Sequence, residues 1–395
     1  MGRILCAWEM GSGTGHLHNL AALAPALKAR GHEMNFAVRD VVLAGRILTA
    51  VDGTVMPAPH PTTRPDLPTS INHAGILDKS GYYEAAVIAH LLRNWRKLLM
   101  KSAAELLIAE NAPTALLATK SLSIPAIALG SGFTVPPSGR PFPALNPMRK
   151  ADREELARAD EVTLVRVNRA LAELGAAPLA ALQDIFAADS TFLTTLPEFD
   201  HFGPRADADY VGPLDIAAVA TAPEWPTGDG ERIFVYYPAR YPHFEPLMRQ
   251  LAGLGLPTLA VAPDATPEIV EKLSGGSLRI TADQVDLKHA ARQARLAITH
   301  GGHGSALQLV LGGCPLALFP HHMEQARMGF RLGELGVARL AIPTIKNFDF
   351  AGVARMMLAE TALAERAGEI AARHADFDPA AGIARIADCC DAILA

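Results

Sequence analysis

A glycine-rich loop near the start of the chain, Gly11-Ser-Gly-Thr-Gly15, leads directly into His16. Glycines let the backbone approach a bound molecule closely, and the loop places the histidine at the start of the helix that follows. An imidazole with an ordinary pKa of about 6.5 can accept the proton of a hydroxyl near neutral pH. The pattern makes His16 a candidate functional residue whose side chain can point into a cleft, with Gly13, Thr14 and Gly15 as possible further members of the site.

The spacing of these glycines excludes the two common nucleotide-binding loops. A dinucleotide loop follows Gly-x-Gly-x-x-Gly, and the two possible registers place His16 or His18 at the third glycine, where a side chain prevents close packing. A Walker loop needs Gly-Lys followed by Ser or Thr, which this segment lacks. A surface or helix-capping histidine is the alternative for His16, and the loop alone does not separate the two.

A second glycine segment, His300-Gly-Gly-His-Gly-Ser305, follows an apolar run and opens a helical stretch. The N-terminus of a helix presents free N–H groups and the positive end of the helix dipole to anions. The segment therefore predicts a phosphate site without a lysine, whose members are His300, Gly301, Gly302, Gly304 and Ser305.

Polar residues also follow the next apolar run, which ends at Pro320. Glu324 and Gln325 place a carboxylate and an amide side by side, and such a pair suits the hydroxyls of a sugar. His321 is a possible further contact to the sugar. Arg240, at the end of another apolar run, is a possible contact to the diphosphate, and an exposed surface arginine is an equally good alternative.

The elements that carry these residues predict an α/β protein. A strand from Arg3 to Trp8, the glycine loop, a helix ending near Gly31 and a strand ending at Asp40 form a βαβ unit. Further strands are predicted at 115–118, 124–129 and 191–194, with helices at 82–109 and 152–174. A second series of strands is predicted at 232–237, 257–262, 277–280, 296–299 and 315–319.

Between these two series, residues 203–230 are rich in Pro, Gly and Asp and break any period, which is typical of a linker. We therefore predict two Rossmann-like, doubly wound domains that face each other across a cleft. The predicted boundaries are 1–215 for the first domain, 216–230 for the linker and 231–378 for the second domain. A C-terminal helix at 379–395 is expected to return to the first domain.

Composition narrows the class of partner. The 395 residues are 50% hydrophobic and 19% charged, which demands a large buried core. With 36 basic and 41 acidic residues the net charge is -5, so no general positive field is available for nucleic acid or an anionic membrane. Four cysteines without metal-ligand spacing, and no long apolar stretch or signal peptide, lead us to expect a cytoplasmic protein without disulfides, stable membrane insertion or a metal site.

The motifs together resemble those of family 1 inverting glycosyltransferases of the GT-B fold, which include bacterial natural-product glycosyltransferases. His300-Gly-Gly-His-Gly-Ser305 resembles the donor-diphosphate motif, and Pro320-x-x-x-Glu324-Gln325 resembles the sugar-contacting acidic-Gln pair. Gly15-His16 resembles the segment that carries the catalytic base, and Tyr210-Val-Gly-Pro213 resembles the entry into the interdomain linker. The similarity covers essentially the whole chain.

The resemblance implies metal-independent transfer of a sugar, with inversion, from a UDP- or dTDP-sugar to a hydroxyl of a small-molecule acceptor. His16 would be the general base, and no cofactor would be needed beyond the nucleotide sugar as co-substrate. The first domain, 1–215, would bind the acceptor, and the second, 231–378, would bind the nucleotide sugar. The donor nucleoside would be bound by Gln284, Val285 and Gln308. The protein would be a monomer or a homodimer.

Two departures from the family pattern bear on the site. Gln308 stands where many members carry a Glu that binds both ribose hydroxyls, which favours a deoxyribose (dTDP) donor. Members with a histidine base commonly orient it with an Asp after a mid-domain strand, but the strand predicted at 115–118 is followed by Thr119 and Lys120. The sequence then does not identify the residue that orients His16, and Thr119 and Ser121 are two possibilities.

Two other functions are compatible with the same architecture. An NDP-sugar epimerase would convert the donor without an acceptor. A catalytically silent nucleotide-sugar-binding partner of another transferase would need no base, although the combination of His16 with Glu324 and Gln325 argues against it.

Overall fold

The computed structural model describes residues 1–49, 51–63, 65–149, 151–214, 221–344 and 347–395. The chain divides into two compact units: unit 1 comprises Met1–Ile216 with Asp378–Ala395, and unit 2 comprises Ala217–Phe377. The first part of the predicted linker, 216–220, lies outside the described residues. Each unit is a parallel sheet flanked by helices.

The described strands of unit 1 form one parallel sheet in the order β3-β2-β1-β4-β5-β6-β7. These strands are β1 Arg3–Trp8, β2 Glu33–Val38, β3 Val55–Pro57, β4 Leu106–Glu110, β5 Ala126–Gly130, β6 Ser190–Leu193 and β7 Asp209–Tyr210. The helices are α1 Gly15–Ala29, α2 Val41–Ile47, α3 His73–Leu77, α4 Ala85–Lys101, α5 Pro113–Lys120 and α6 Arg153–Glu173. Short helical turns cover Asp78–Tyr82, Leu182–Phe186 and Pro197–Phe199.

The centre of this sheet differs from the predicted elements. The helix predicted at 82–109 ends at Lys101, and its last residues form β4, whose side chains are buried on both faces of the sheet. The segment 115–118, predicted as a strand, lies instead in α5, which Pro113 begins at a position where proline favours helix. Apolar runs buried on all sides have no period that distinguishes strand from helix, which explains both errors.

The described strands of unit 2 form a second parallel sheet in the order β10-β9-β8-β11-β12-β13. These strands are β8 Ile233–Tyr236, β9 Thr258–Val261, β10 Leu278–Thr281, β11 Leu296–Thr299, β12 Leu316–Leu318 and β13 Ala338–Leu340. The helices are α7 Phe244–Ala252, α8 Pro267–Leu273, α9 Leu287–Gln293, α10 His303–Leu311, α11 Met323–Glu334, α12 Phe350–Ala359 and α13 Thr361–Arg373.

The last helix, α14 Pro379–Leu394, belongs to unit 1. Its buried Ile386 and Cys390 join the core on the α1 side of the sheet. Asp391 lies 2.8 Å from His32 Nε2 and also pairs with Arg30, just after α1. Within the part of the chain that the structure describes, none of the helices is both long enough and apolar enough to cross a membrane.

Strand order marks one position in each sheet where a ligand would be expected. In unit 1 the chain direction across the sheet reverses between β1 and β4, and in unit 2 it reverses between β8 and β11. Loops that leave the carboxyl ends of two such strands run in opposite directions and open a crevice between them. His16 of unit 1 and His300 of unit 2 lie at these two positions.

Candidate active site

At the reversal point of unit 1, His16 meets a buried glutamate. His16 lies in the first turn of α1, and Glu110 is the last residue of β4. His16 Nδ1 lies 2.6 Å from Glu110 Oε2, with side chains that are 12% and 2% exposed. Trp8, the residue of β1 paired with Glu110, stacks on the histidine ring at a centroid distance of 5.3 Å.

This pair corrects the expectation that unit 1 lacks a carboxylate to orient the histidine. The predicted candidates have other roles, because the Thr119 and Ser121 hydroxyls donate to carbonyls of their own helix, Leu116 O and Ala118 O. The carboxylate is that of Glu110, which ends β4. The sequence pattern had predicted most of this strand as the end of a helix. When a carboxylate accepts a hydrogen bond from Nδ1–H, the lone pair of the neutral ring is on Nε2, as a general base requires.

Gly11 lies against the other ring nitrogen. Its φ of +84° belongs to the left-handed region that favours glycine. A Cβ at this position would lie 2.6 Å from His16 Nε2, so only a residue without a side chain fits beside this nitrogen. Gly13 and Gly15 face open space, and Thr14 precedes α1 without a side-chain cap.

The loops after β1 and β4 are joined to each other. Met10 N donates to Asn111 O at 3.0 Å, and Asn111 Nδ2 donates to Met10 O at 2.9 Å. Asn111 adopts a φ of +49°, a conformation that asparagine tolerates better than most residues. This double link holds Gly11 beside the residue that follows Glu110.

A second buried carboxyl, Glu9, lies directly after β1. It accepts hydrogen bonds from the backbone N–H and the hydroxyl of Thr114, and the Tyr82 hydroxyl bonds Thr114 in turn. Burial raises the pKa of Glu9 to about 7, although the bonds from Thr114 oppose the rise. Sequence patterns did not single out this residue.

At the reversal point of unit 2, His300 follows β11 and Gly302 caps α10. A Cβ on Gly302 would lie 2.8 Å from His300 Nε2 and 3.4 Å from Ser305 Oγ, so the glycine lets the imidazole lie against the start of the helix. Burial lowers the pKa of His300 to about 4, so its ring is neutral near pH 7. The Ser305 hydroxyl donates to Gly302 O at 3.0 Å.

The start of α11 packs against the same loop. Gly301 has a φ of +88°, and a Cβ there would lie 3.1 Å from Gln325 O. Gln325 is 3% exposed, and its Oε1 accepts the backbone N–H of His321 at 2.8 Å. Glu324 is half-buried in the first turn of the helix. The structure thus brings the predicted diphosphate and sugar residues together around one loop.

His321 lies among tyrosine rings. Its Nε2 is hydrogen-bonded to the Tyr237 hydroxyl, and its ring centroid lies 3.7 Å from that of Tyr241. Burial lowers the pKa of His321 to about 4. Arg240 is 59% exposed and pairs with Asp264 at 3.0 Å, so the structure gives it a partner other than the loop of His300.

The predicted nucleoside residues lie on two different elements. Gln284 and Val285 follow β10 at the edge of the sheet, where the Gln284 carbonyl accepts the backbone N–H of Thr221 at 3.0 Å. Gln308 lies half-buried in α10. Across the described ranges, no group of three or more His, Cys, Asp or Glu side chains is placed to hold a metal ion.

Comparison with solved structures gives the fold. The chain is similar over 99% of its length to 99% of the glycotransferase of kitacinnamycin, with 20% identity and a TM-score of 0.67. It is similar over 100% of its length to 98% of the calicheamicin glycosyltransferase CalG4, with 19% identity and a TM-score of 0.70. The chain has the glycosyltransferase fold.

A third structure with this glycosyltransferase fold is SsfS6 of Streptomyces sp. SF2575 in complex with thymidine diphosphate. It matches 98% of this chain and 99% of its own, with 20% identity and a TM-score of 0.62. No protein-family model matches the chain, and neither does a curated protein sequence. The similarity to glycosyltransferases that the motifs predicted therefore covers the whole fold, at low sequence identity.

Proposed function

We propose that this protein is a glycosyltransferase that moves a sugar from a nucleoside-diphosphate sugar to a hydroxyl of a small-molecule acceptor. The reaction inverts the anomeric centre, uses His16 as general base and needs no metal. The observation that carries the proposal is the bond from His16 Nδ1 to the buried carboxylate of Glu110 at 2.6 Å. A histidine whose Nδ1 is held by a carboxylate in this way is arranged to take a proton from a substrate through Nε2.

The proton and bond changes follow from this arrangement. The acceptor hydroxyl gives its proton to His16 Nε2 while its oxygen attacks the anomeric carbon. The bond from that carbon to the diphosphate oxygen breaks, and the diphosphate takes the electron pair. Because the new bond forms opposite the departing group, the configuration inverts. The imidazolium formed on His16 is stabilised by the negative charge of Glu110.

On the donor side, the start of α10 would hold the diphosphate. Its N–H groups and dipole favour the charge that develops on the leaving group. His300 is neutral near pH 7, so it would contribute a hydrogen bond rather than a positive charge. Glu324 would accept hydroxyl protons of the sugar, and Gln325 would hold the loop against which the sugar lies.

The donor nucleotide is UDP or dTDP. A glutamine at position 308 offers the ribose a neutral partner instead of a carboxylate, which weakens discrimination in favour of the 2′-hydroxyl. The solved complex of SsfS6 holds thymidine diphosphate. We expect a dTDP-sugar to serve at least as well as a UDP-sugar.

The proposal is tested by incubating the purified protein, in buffer with EDTA, with UDP- and dTDP-sugars and a panel of hydroxylated acceptors. Mass spectrometry should detect acceptors that gain one glycosyl unit, and NMR should give the inverted anomeric configuration. The His16→Ala variant is the matched control. Isomerised donor without a glycosylated acceptor would show an epimerase, and nucleotide binding without turnover would show a binding protein.

A further inference from the structure

The helix that carries His16 also carries a residue that contacts the carboxylate partner. Asn19 lies three residues after His16 in α1, which places both side chains on one face of the helix. Asn19 Nδ2 lies 3.3 Å from Glu110 Oε1, and His16 Nδ1 lies 2.6 Å from Glu110 Oε2. The two carboxylate oxygens therefore have separate donors from the same helix.

A further contact fixes the amide itself. Asn19 Nδ2 also lies 3.4 Å from the hydroxyl of Thr194, a buried residue directly after β6. The backbone N–H of Thr194 donates to Gly130 O at 2.8 Å, which ties that residue to the end of β5. The amide of Asn19 thus spans from the end of β4 to the residue after β6.

Gly130 leaves room for this arrangement at the end of β5. A Cβ there would lie 3.4 Å from Glu110 Oε1 and 2.1 Å from the Thr134 hydroxyl. A buried carboxylate is costly unless hydrogen-bond donors satisfy its oxygens. The amide supplies one such donor, and it also selects which oxygen faces the histidine.

We infer that Asn19, supported by Thr194, is a positioning residue that orients the Glu110 carboxylate toward His16 and so holds the histidine in the Nδ1–H tautomer. The expected effect of Asn19 on turnover rests on the proposed function. Its effect on the tautomer of His16 does not, because the tautomer can be measured without turnover.

Partners that orient the histidine ligands of metal sites change affinity or activity by about 10- to 100-fold when they are substituted, and we expect an effect of similar size here. Asn19→Leu keeps the size of the side chain and removes both hydrogen bonds. We expect its turnover number to fall about 10-fold or more, with the KM for the donor and the nucleotide affinity unchanged. Thr194→Val should show a smaller loss, and Thr194→Ser, which keeps the hydroxyl, should restore turnover.

The decisive measurement is NMR of protein labelled with ¹⁵N-histidine, which distinguishes the two tautomers of His16. The wild type should show the Nδ1–H form, and Asn19→Leu should show a mixture of both forms. Asn94→Leu is the matched control, because Asn94 bonds His90 on the exposed face of α4, outside the proposed site.

Unchanged tautomer and turnover in Asn19→Leu would overturn the inference. If Asn19→Leu does not fold, the ¹⁵N-histidine spectra of Thr194→Val and Thr194→Ser are compared instead. Equal spectra of these two variants would overturn the inference. If the wild type transfers no sugar to any acceptor, the proposed function fails, while the tautomer measurement still tests the role of Asn19.

Discussion

Glu110 Oε2 lies 2.6 Å from His16 Nδ1, although 94 residues separate the two in sequence. Strand order explains the contact, since β1 and β4 are neighbours and the loops at their carboxyl ends meet. The register pairs Trp8 with Glu110, and the ring of Trp8 stacks on that of His16. The contact is a direct consequence of the sheet topology.

Glu110→Gln should lower turnover with an alcohol acceptor by roughly 10²–10⁴. The amide keeps the size of the side chain, but it no longer stabilises the imidazolium that forms when His16 takes a proton. Steady-state kinetics measures the loss, and calorimetric titration with nucleotide should give unchanged affinity, since Glu110 lies in unit 1. Full turnover in this variant would remove Glu110 from the mechanism.

Gly11→Ala should reduce turnover strongly, because the added Cβ would lie 2.6 Å from His16 Nε2. Gly31→Ala is the control: Gly31, just after α1 and outside the site, has a similar φ of +81°, and a Cβ there would meet no atom within 4 Å. Both variants carry the backbone strain of a left-handed alanine, about 1 kcal/mol. Only Gly11→Ala should lose turnover, and equal losses in the two variants would mean that strain alone is responsible.

Glu9 should make the stability of unit 1 depend on pH. Its pKa is raised by burial from 4.5 to about 7, so the folded state favours the neutral carboxyl. The stabilisation is fully present below pH 4.5 and is lost as pH rises through about 7, a change of roughly 3 kcal/mol. Urea unfolding of wild type and Glu9→Gln should give a difference that grows in favour of Glu9→Gln from pH 5 to 7. A difference that is constant with pH would show that Glu9 is ionised throughout.

His300→Ala should slow turnover by about 10²–10³, the usual effect of removing one donor to a developing charge. The pKa of about 4 further predicts that His300 binds the diphosphate as a neutral group. The ratio of dTDP-sugar affinities between wild type and His300→Gln should therefore stay constant from pH 5.5 to 8. A ratio that falls about tenfold as pH rises through 6.5 would show that a charged imidazolium binds the donor.

Local sequence patterns were sufficient for the histidines beside the glycine loops. His16 lies in the first turn of a helix after a strand and a glycine loop, and His300 directly follows a strand and precedes the glycine that caps the next helix, as the local patterns predicted. The α/β fold class also follows from such alternation. Asn19 could have been found as well, because its spacing from His16 places it on the same face of α1.

Glu110 could not be found in this way. It lies within 106–120, a run of mostly buried residues in which strand, turn and helix follow one another without a change in hydrophobic period. Its contact with His16 depends on the order of strands, which a single sequence does not contain. The burial of His321 among Tyr237 and Tyr241 is likewise a tertiary contact without a local signal.

In the proposed reaction, His16 removes the proton of the acceptor hydroxyl. The most direct test compares wild type and His16→Ala with an alcohol acceptor and with a more acidic phenol of similar shape, and also measures nucleotide affinity. We predict a loss of turnover of roughly 10²–10⁴ with the alcohol, a clearly smaller loss with the phenol, and unchanged nucleotide affinity. Equal losses with both acceptors, or full turnover with the alcohol, would contradict the assignment of His16 as the base.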